Sequence, residues 1–316
     1  MNTLRIIDFH VGSGGKIAGI QKVNAAGQQV DVPVFLINGK VSGPTLVVTA
    51  GIHGAEYASI EAALLLGRSL KPDELRGRII VIPIVNMPAF QARSIYVCPL
   101  DGKNLNRVFP GKPDGTASEQ IADWLFQNAI KQADYYVDLH GGDLVEALIP
   151  FTIYHASGNE AVDQRSKQLA KVFGIPYVVR SETEGSTYSA AARAGIPSML
   201  AEAGGQGLGP PDAVGALTTG MNRLMRYLGM LDGPAPEPLP TQTLDKFVWL
   251  RSEHDGFYYL DVQVGDSVNE GQQLGRVTDF EGEILQNVVA PVTGRVLFLV
   301  SSLAINKGDP LLAVGA

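Results

Sequence analysis

Leu46-Val47-Val48-Thr49-Ala50-Gly51-Ile52-His53-Gly54-Ala55-Glu56 is an apolar, β-branched run that meets a glycine turn and passes at once into an alanine- and leucine-rich stretch over 56–66. A strand that closes on a turn and a helix is the repeating unit of an α/β sheet. The unit recurs outward in both directions. Short apolar runs at 30–37, 45–49, 79–82, 135–139 and 177–179 alternate with helical patterns, the best at 56–66, 117–129 and 161–173. The alternation stops at DGPAPEPLP (232–240), where Pro234, Pro236, Pro238 and Pro240 block a helix and favour an extended strap. Three parts follow: an α/β domain over 1–231, a proline-rich linker over 232–242 and an all-β module over 243–316.

Composition narrows the functions open to such a chain. Its 316 residues are 45% hydrophobic and 18% charged, as in a packed globular protein. Cys98 is the single cysteine, so no intrachain disulfide and no multi-cysteine zinc site can form; any metal needs histidine and carboxylate ligands. The 25 basic and 32 acidic residues give a net charge of -7, which disfavours a nucleic-acid partner. Apolar runs such as 46–48, 79–82 and 296–300 fall far short of a membrane span, and residues 1–20 lack a basic region followed by an apolar core. The expectation is a soluble cytoplasmic protein without a membrane partner.

Four segments carry chemistry. His53 and Glu56 fall at the carboxyl end of the quoted strand, where open α/β sheets gather ligands, and an imidazole and a carboxylate around one turn can share a cation. Spacing alone is weak, since acids are common and His140 is likewise followed by Asp143. The second segment, Tyr135-Tyr-Val-Asp138-Leu-His140-Gly-Gly, is again an apolar strand ending in histidine and glycine. His140 would complete a two-histidine, one-carboxylate zinc set, with Asp138 on the same strand face able to steady its ring. The bland alternative is a pair of turn histidines bonded to backbone. The third segment, Asp101-Gly-Lys-Asn104-Leu-Asn106-Arg107, preceded by Arg93, offers a guanidinium for a carboxylate with amide donors beside it. In the fourth, 196–205, Glu202 ends an apolar strand and meets Gly204-Gly205, a place for a general base.

In this order, H-G-x-E, N-L-N-R, D-L-H and E-x-G-G resemble the succinylglutamate desuccinylase and aspartoacylase family, relatives of the zinc carboxypeptidases, over roughly 45–230. The resemblance implies a mixed sheet flanked by helices and one zinc ion per chain held by His53, Glu56 and His140. It implies Glu202 as catalytic base, Arg107 with Asn106 and Asn104 as substrate-binding residues, and Arg107 and Arg93 as groups able to polarise the acyl oxygen. The substrate class implied is a small N-acyl amino acid whose amide is hydrolysed, acetyl asking least of the pocket. The module after the linker resembles the biotinyl and lipoyl hammerhead fold, yet it has no lysine between Lys246 and Lys307 to carry a swinging arm. It is free to cap the cleft or to pair subunits in a homo-oligomer. Two readings compete, a zinc carboxypeptidase acting on short peptides and a non-catalytic binding protein on the same scaffold; serine or cysteine chemistry is weaker, for there is no G-x-S-x-G elbow.

Overall fold

The computed structural model describes residues 3–237 and 239–316; Pro238 of the proline strap, with the first two residues, lies outside the described residues. Val41–Thr49 is a strand, and the helix α1 (Tyr57–Ser69) follows it directly. Leu46 and Val48 pack into one apolar cluster and Val47 into another, so the strand is covered on both faces. That double burial explains an apolar run without alternation.

Nine strands form the large sheet, in the order Gln242–Leu244, Tyr177–Ser181, Phe151–His155, Ser198–Glu202, Tyr135–His140, Val41–Thr49, Arg76–Ile82, Gln28–Asn38 and Gly15–Ala25. The sheet is mixed. Ser198–Glu202, Tyr135–His140, Val41–Thr49 and Arg76–Ile82 are mutually parallel, whereas Phe151–His155 runs against Ser198–Glu202 and a long hairpin closes the far edge antiparallel. The further helices are α2 (Met87–Ala92), α3 (Ala117–Asn128), α4 (Glu160–Phe173), α5 (Thr187–Arg193) and α6 (Pro211–Tyr227). α1, α4 and α6 bury their apolar sides on one face, with α3 and α5 on the other. The result is the three-layer α/β fold the sequence pattern implies.

The β module is built from two antiparallel sheets. One contains Phe247–Arg251, Pro310–Gly315, Gly294–Val300 and Ser267–Val268; the other contains Ile284–Val289, Gln273–Thr278, Gly256–Leu260 and Ala304–Ile305. Two exchanges tie the module to the large domain. Gln242–Leu244 pairs in parallel with Tyr177–Val179, so the chain adds an edge strand to the large sheet before the module begins. In return Glu146–Leu148 leaves the α/β domain and pairs with Gly294–Val300. The boundary drawn at 243 therefore falls inside a strand of the large sheet. No helix among the described residues is long and apolar enough to cross a membrane.

Candidate active site

Three neighbouring parallel strands bring the site together at their carboxyl ends. Thr49 is in register with Asp138, and His140 with Glu202, so residues distant in sequence become neighbours at the strand spacing of about 4.8 Å. His53 and Glu56 lie in the turn from Thr49 into α1. The turn needs Gly54, because a Cβ there would fall 2.1 Å from the Phe90 backbone nitrogen in α2. Glu56 occupies the cap position of α1 but caps nothing. Its carboxylate instead spans the two imidazoles, Oε1 lying 2.6 Å from His53 Nδ1 and Oε2 2.9 Å from His140 Nδ1.

Burial alone would raise the Glu56 carboxyl, but His140 and His53 hold it well below the usual carboxylate range. Burial likewise opposes charge on His140, and Glu56 with Asp138 outweighs it, raising the imidazole. The carboxylates of Glu56 and Asp138 thus favour positive charge in this pocket. One ligand atom from each of His53, Glu56 and His140 lies within 4.8 Å of the others, and two nitrogens with a carboxylate oxygen suit zinc. Behind His140, Nε2 meets Asp138 Oδ2 at 2.9 Å, as the shared strand face implies.

Glu202 stands beside this set and lines the same cleft. Its Oε2 is sealed from solvent without a hydrogen-bond partner among the described residues, and burial raises the carboxyl well above its ordinary value. Arg107 ends a short turn, Leu105–Arg107, and lines the cleft. The residue is exposed overall, yet its guanidinium sits among the cleft walls, where lost solvation lowers its pKa. Nη1 donates to the Asn106 carbonyl at 2.8 Å, and no carboxylate lies within 4.0 Å of the guanidinium among the described residues. Asn104 and Asn106 both line the cleft, but their carbonyl oxygens are engaged, Asn104 Oδ1 with His53 Nε2 at 3.1 Å and Asn106 Oδ1 with the Thr187 N–H at 3.0 Å. Arg93 is placed elsewhere: it closes α2 in a left-handed conformation (φ 53°), is exposed, and is absent from the cleft lining.

The cleft, of about 630 Å³, has a second wall that sequence did not locate. Phe247, Trp249, Arg251, Phe298 and Asp309 of the β module line it, with Tyr96 and Glu146 from the α/β domain. Arg251 donates to the Gly308 carbonyl at 2.9 Å, and Asp309 takes Asn306 N and Nδ2 on Oδ2 at 2.9 and 3.0 Å. Burial pushes Glu146 up to about 8, only partly offset by the N–H of Asp143 at 2.7 Å. Nothing in a single sequence signals that a strand such as Phe247–Arg251 folds back over a distant site. The module's tyrosines serve packing: Tyr258 is buried in its core and Tyr259 lies under Arg276. Cys98 is buried, which raises its thiol and leaves it unsuited to nucleophilic work.

Known proteins are similar to this one over most of the chain. N-alpha-acetyl-L-2,4-diaminobutyric acid deacetylase of Halomonas elongata is 33% identical over 273 residues, covering 84% of this chain and 78% of that protein. The product-bound ectoine utilization protein EutE (DoeB) from Ruegeria pomeroyi superposes with a TM-score of 0.86 at 28% identity, over 96% of this chain and 95% of that one. A succinylglutamate desuccinylase/aspartoacylase from Rhodobacter sphaeroides gives 0.84 at 27% identity, with the same coverage of 96% and 95%. The succinylglutamate desuccinylase/aspartoacylase catalytic domain matches residues 42–228. That match runs from the first of the converging strands to the last helix before the linker, takes in every residue of the His53–Glu56–His140–Glu202 cluster, and places this protein in the succinylglutamate desuccinylase/aspartoacylase family.

Proposed function

We propose that the protein is a metal-dependent amidohydrolase that cleaves a small N-acyl amino acid, acetyl being the acyl group, into a carboxylate and a free amine. The observation that carries this reading is the convergence of His53, Glu56 and His140 on one point, with the partnerless Glu202 carboxyl beside them. His53, Glu56 and His140 would hold about one zinc ion per chain, as in other two-histidine, one-carboxylate sites. Zinc, when bound, supplies Lewis acidity that acidifies water and polarises an acyl oxygen. Glu202 supplies the proton path: it takes a proton from the attacking water as the new C–O bond forms and returns it to the amide nitrogen as the C–N bond breaks. A carboxyl raised by burial is matched to both halves of that transfer. Arg107 grips the substrate carboxylate and is left without an internal one to compete for it.

The substrate side chain is read by the other wall. Asp309 lines the cleft near Tyr96 and Glu146, and no lysine or arginine lies within 4.0 Å of it among the described residues. A carboxylate left without a cation suits an ammonium-bearing side chain, such as that of the substrate named for the Halomonas relative. The apolar and charged wall built by the β module leaves about 630 Å³, which favours a small substrate over a peptide. The glycine-turned strands of the module support a hammerhead-like fold used here as a wall. The test is amine release from N-acetyl-2,4-diaminobutyrate, N-acetylaspartate, N-succinylglutamate and short peptides by wild-type protein and Asp309→Asn. The diamino substrate is expected to be the best, with KM raised about tenfold in the variant, the order of one charge-assisted hydrogen bond. Cleavage of peptides alone contradicts the assignment.

A further inference from the structure

The outer hydrogen bonds of the two site histidines make Nε2 a donor on each ring. The Asn106 backbone N–H, which can only donate, meets Asn104 Oδ1 at 2.8 Å, so that atom is the side-chain carbonyl. His53 Nε2 faces the same oxygen at 3.1 Å and therefore carries the ring proton. On the other side, Asp138 Oδ1 receives the Thr49 hydroxyl at 2.6 Å, while Oδ2 receives the Thr187 hydroxyl and lies 2.9 Å from His140 Nε2. Asp138 accepts throughout, and Nε2 of His140 is the donor. With Nε2 committed as a donor on each ring, Nδ1 is the nitrogen that faces Glu56 and the one that a neutral imidazole would offer to a metal.

These two anchors are joined. The Thr187 N–H donates to Asn106 Oδ1 at 3.0 Å, so one path of contacts runs His53, Asn104, Asn106, Thr187, Asp138, His140. Asn106, Thr187, Asp138 and His140 are all buried. The Thr187 hydroxyl is not needed to start α5, because Ser186 caps that helix through Ser189 N. Arg107 is the next residue after Asn106, so the arc also ties the substrate-binding guanidinium to the two histidines.

We propose that Thr187 is a positioning residue for the metal centre: with Asn104 and Asn106 it closes an arc that holds both histidines in the Nε2–H tautomer and fixes the Arg107 loop against them. The inference rests on the metal-dependent reading above. Partners behind metal-bound histidines typically change affinity by about 10- to 100-fold when removed.

The experiment is a zinc titration of the full chain against a chromophoric chelator, comparing wild type, Thr187→Val, Thr187→Ser and Asn104→Ala. Thr187→Val keeps the shape and the backbone bond to Asn106 but loses the hydroxyl, and zinc should bind about 10- to 100-fold more weakly. Thr187→Ser restores the hydroxyl and should return affinity to within about threefold of wild type, as a bond-specific effect requires. If Thr187→Val does not fold, Asn104→Ala reads the arc from the His53 end, with weakened zinc binding expected there too. Wild-type affinity in a folded Thr187→Val protein, or in Asn104→Ala if that is the variant read, overturns the proposal and leaves the metal site standing. A wild-type protein that binds no zinc overturns the metal site and the arc together.

Discussion

Glu56 occupies the cap of α1 but gives its carboxylate to two imidazoles rather than to the free N–H groups of the helix. Glu146 presents the opposite case, a buried carboxyl with too few donors, pushed up to about 8 from an ordinary 4.5. The folded state therefore binds this proton more tightly than the unfolded chain. Stability from this group is fully present below about pH 4.5 and is lost as pH rises toward about 8. Glu146→Gln should remove that loss: comparing urea midpoints at about pH 5 and about pH 8, the variant should fall less than wild type. Parallel falls in the two proteins would show that Glu146 is ionised at little cost.

Elements differ in how far the sequence announces them. The strands at 45–49 and 135–139 and the helices at 56–66, 117–129 and 161–173 are legible because double burial or a clean amphipathic stripe leaves a strong pattern. Gly15–Ala25 is not, since it is an edge strand whose side chains alternate into solvent as Lys16, Ala18, Ile20 and Lys22. α6 is hidden by Gly215 and Gly220 within its length. Gly220 is there for packing: a Cβ would lie 2.1 Å from Cε1 of the buried Phe173 ring in α4. Gly220→Ala pits a helix-propensity gain of about 1 kcal/mol against overpacking of about 1–3 kcal/mol. Net destabilisation is expected in a denaturant midpoint; a stabilised variant would mean that Phe173 yields freely.

At the scale of the molecule, the candidate cluster was legible because its members stand at or close to the carboxyl ends of strands, and parallel strands in register place such ends side by side. His53, Glu56, His140, Asp138 and Glu202 follow from that rule. Arg251, Asp309 and Tyr96 do not, because they depend on how the module folds back after the linker and on a loop whose Tyr96 is left-handed (φ 57°). Arg93, at the C-terminal cap of α2, lies outside the cleft lining, because nearness in sequence to the N-L-N-R run does not fix where a helix end is placed. The module that completes the cleft is held by exchanged strands, Gln242–Leu244 in one direction and Glu146–Leu148 in the other, so the site belongs to the whole chain. The most direct measurement is zinc content and amine release from N-acetyl-2,4-diaminobutyrate for wild type and Glu202→Gln, before and after chelation and metal return. About one zinc per chain is expected in both proteins, with wild-type turnover lost on chelation and restored by zinc, and kcat lowered about 10²- to 10⁴-fold in the variant. Full turnover without metal, or an unimpaired Glu202→Gln protein, would contradict the account.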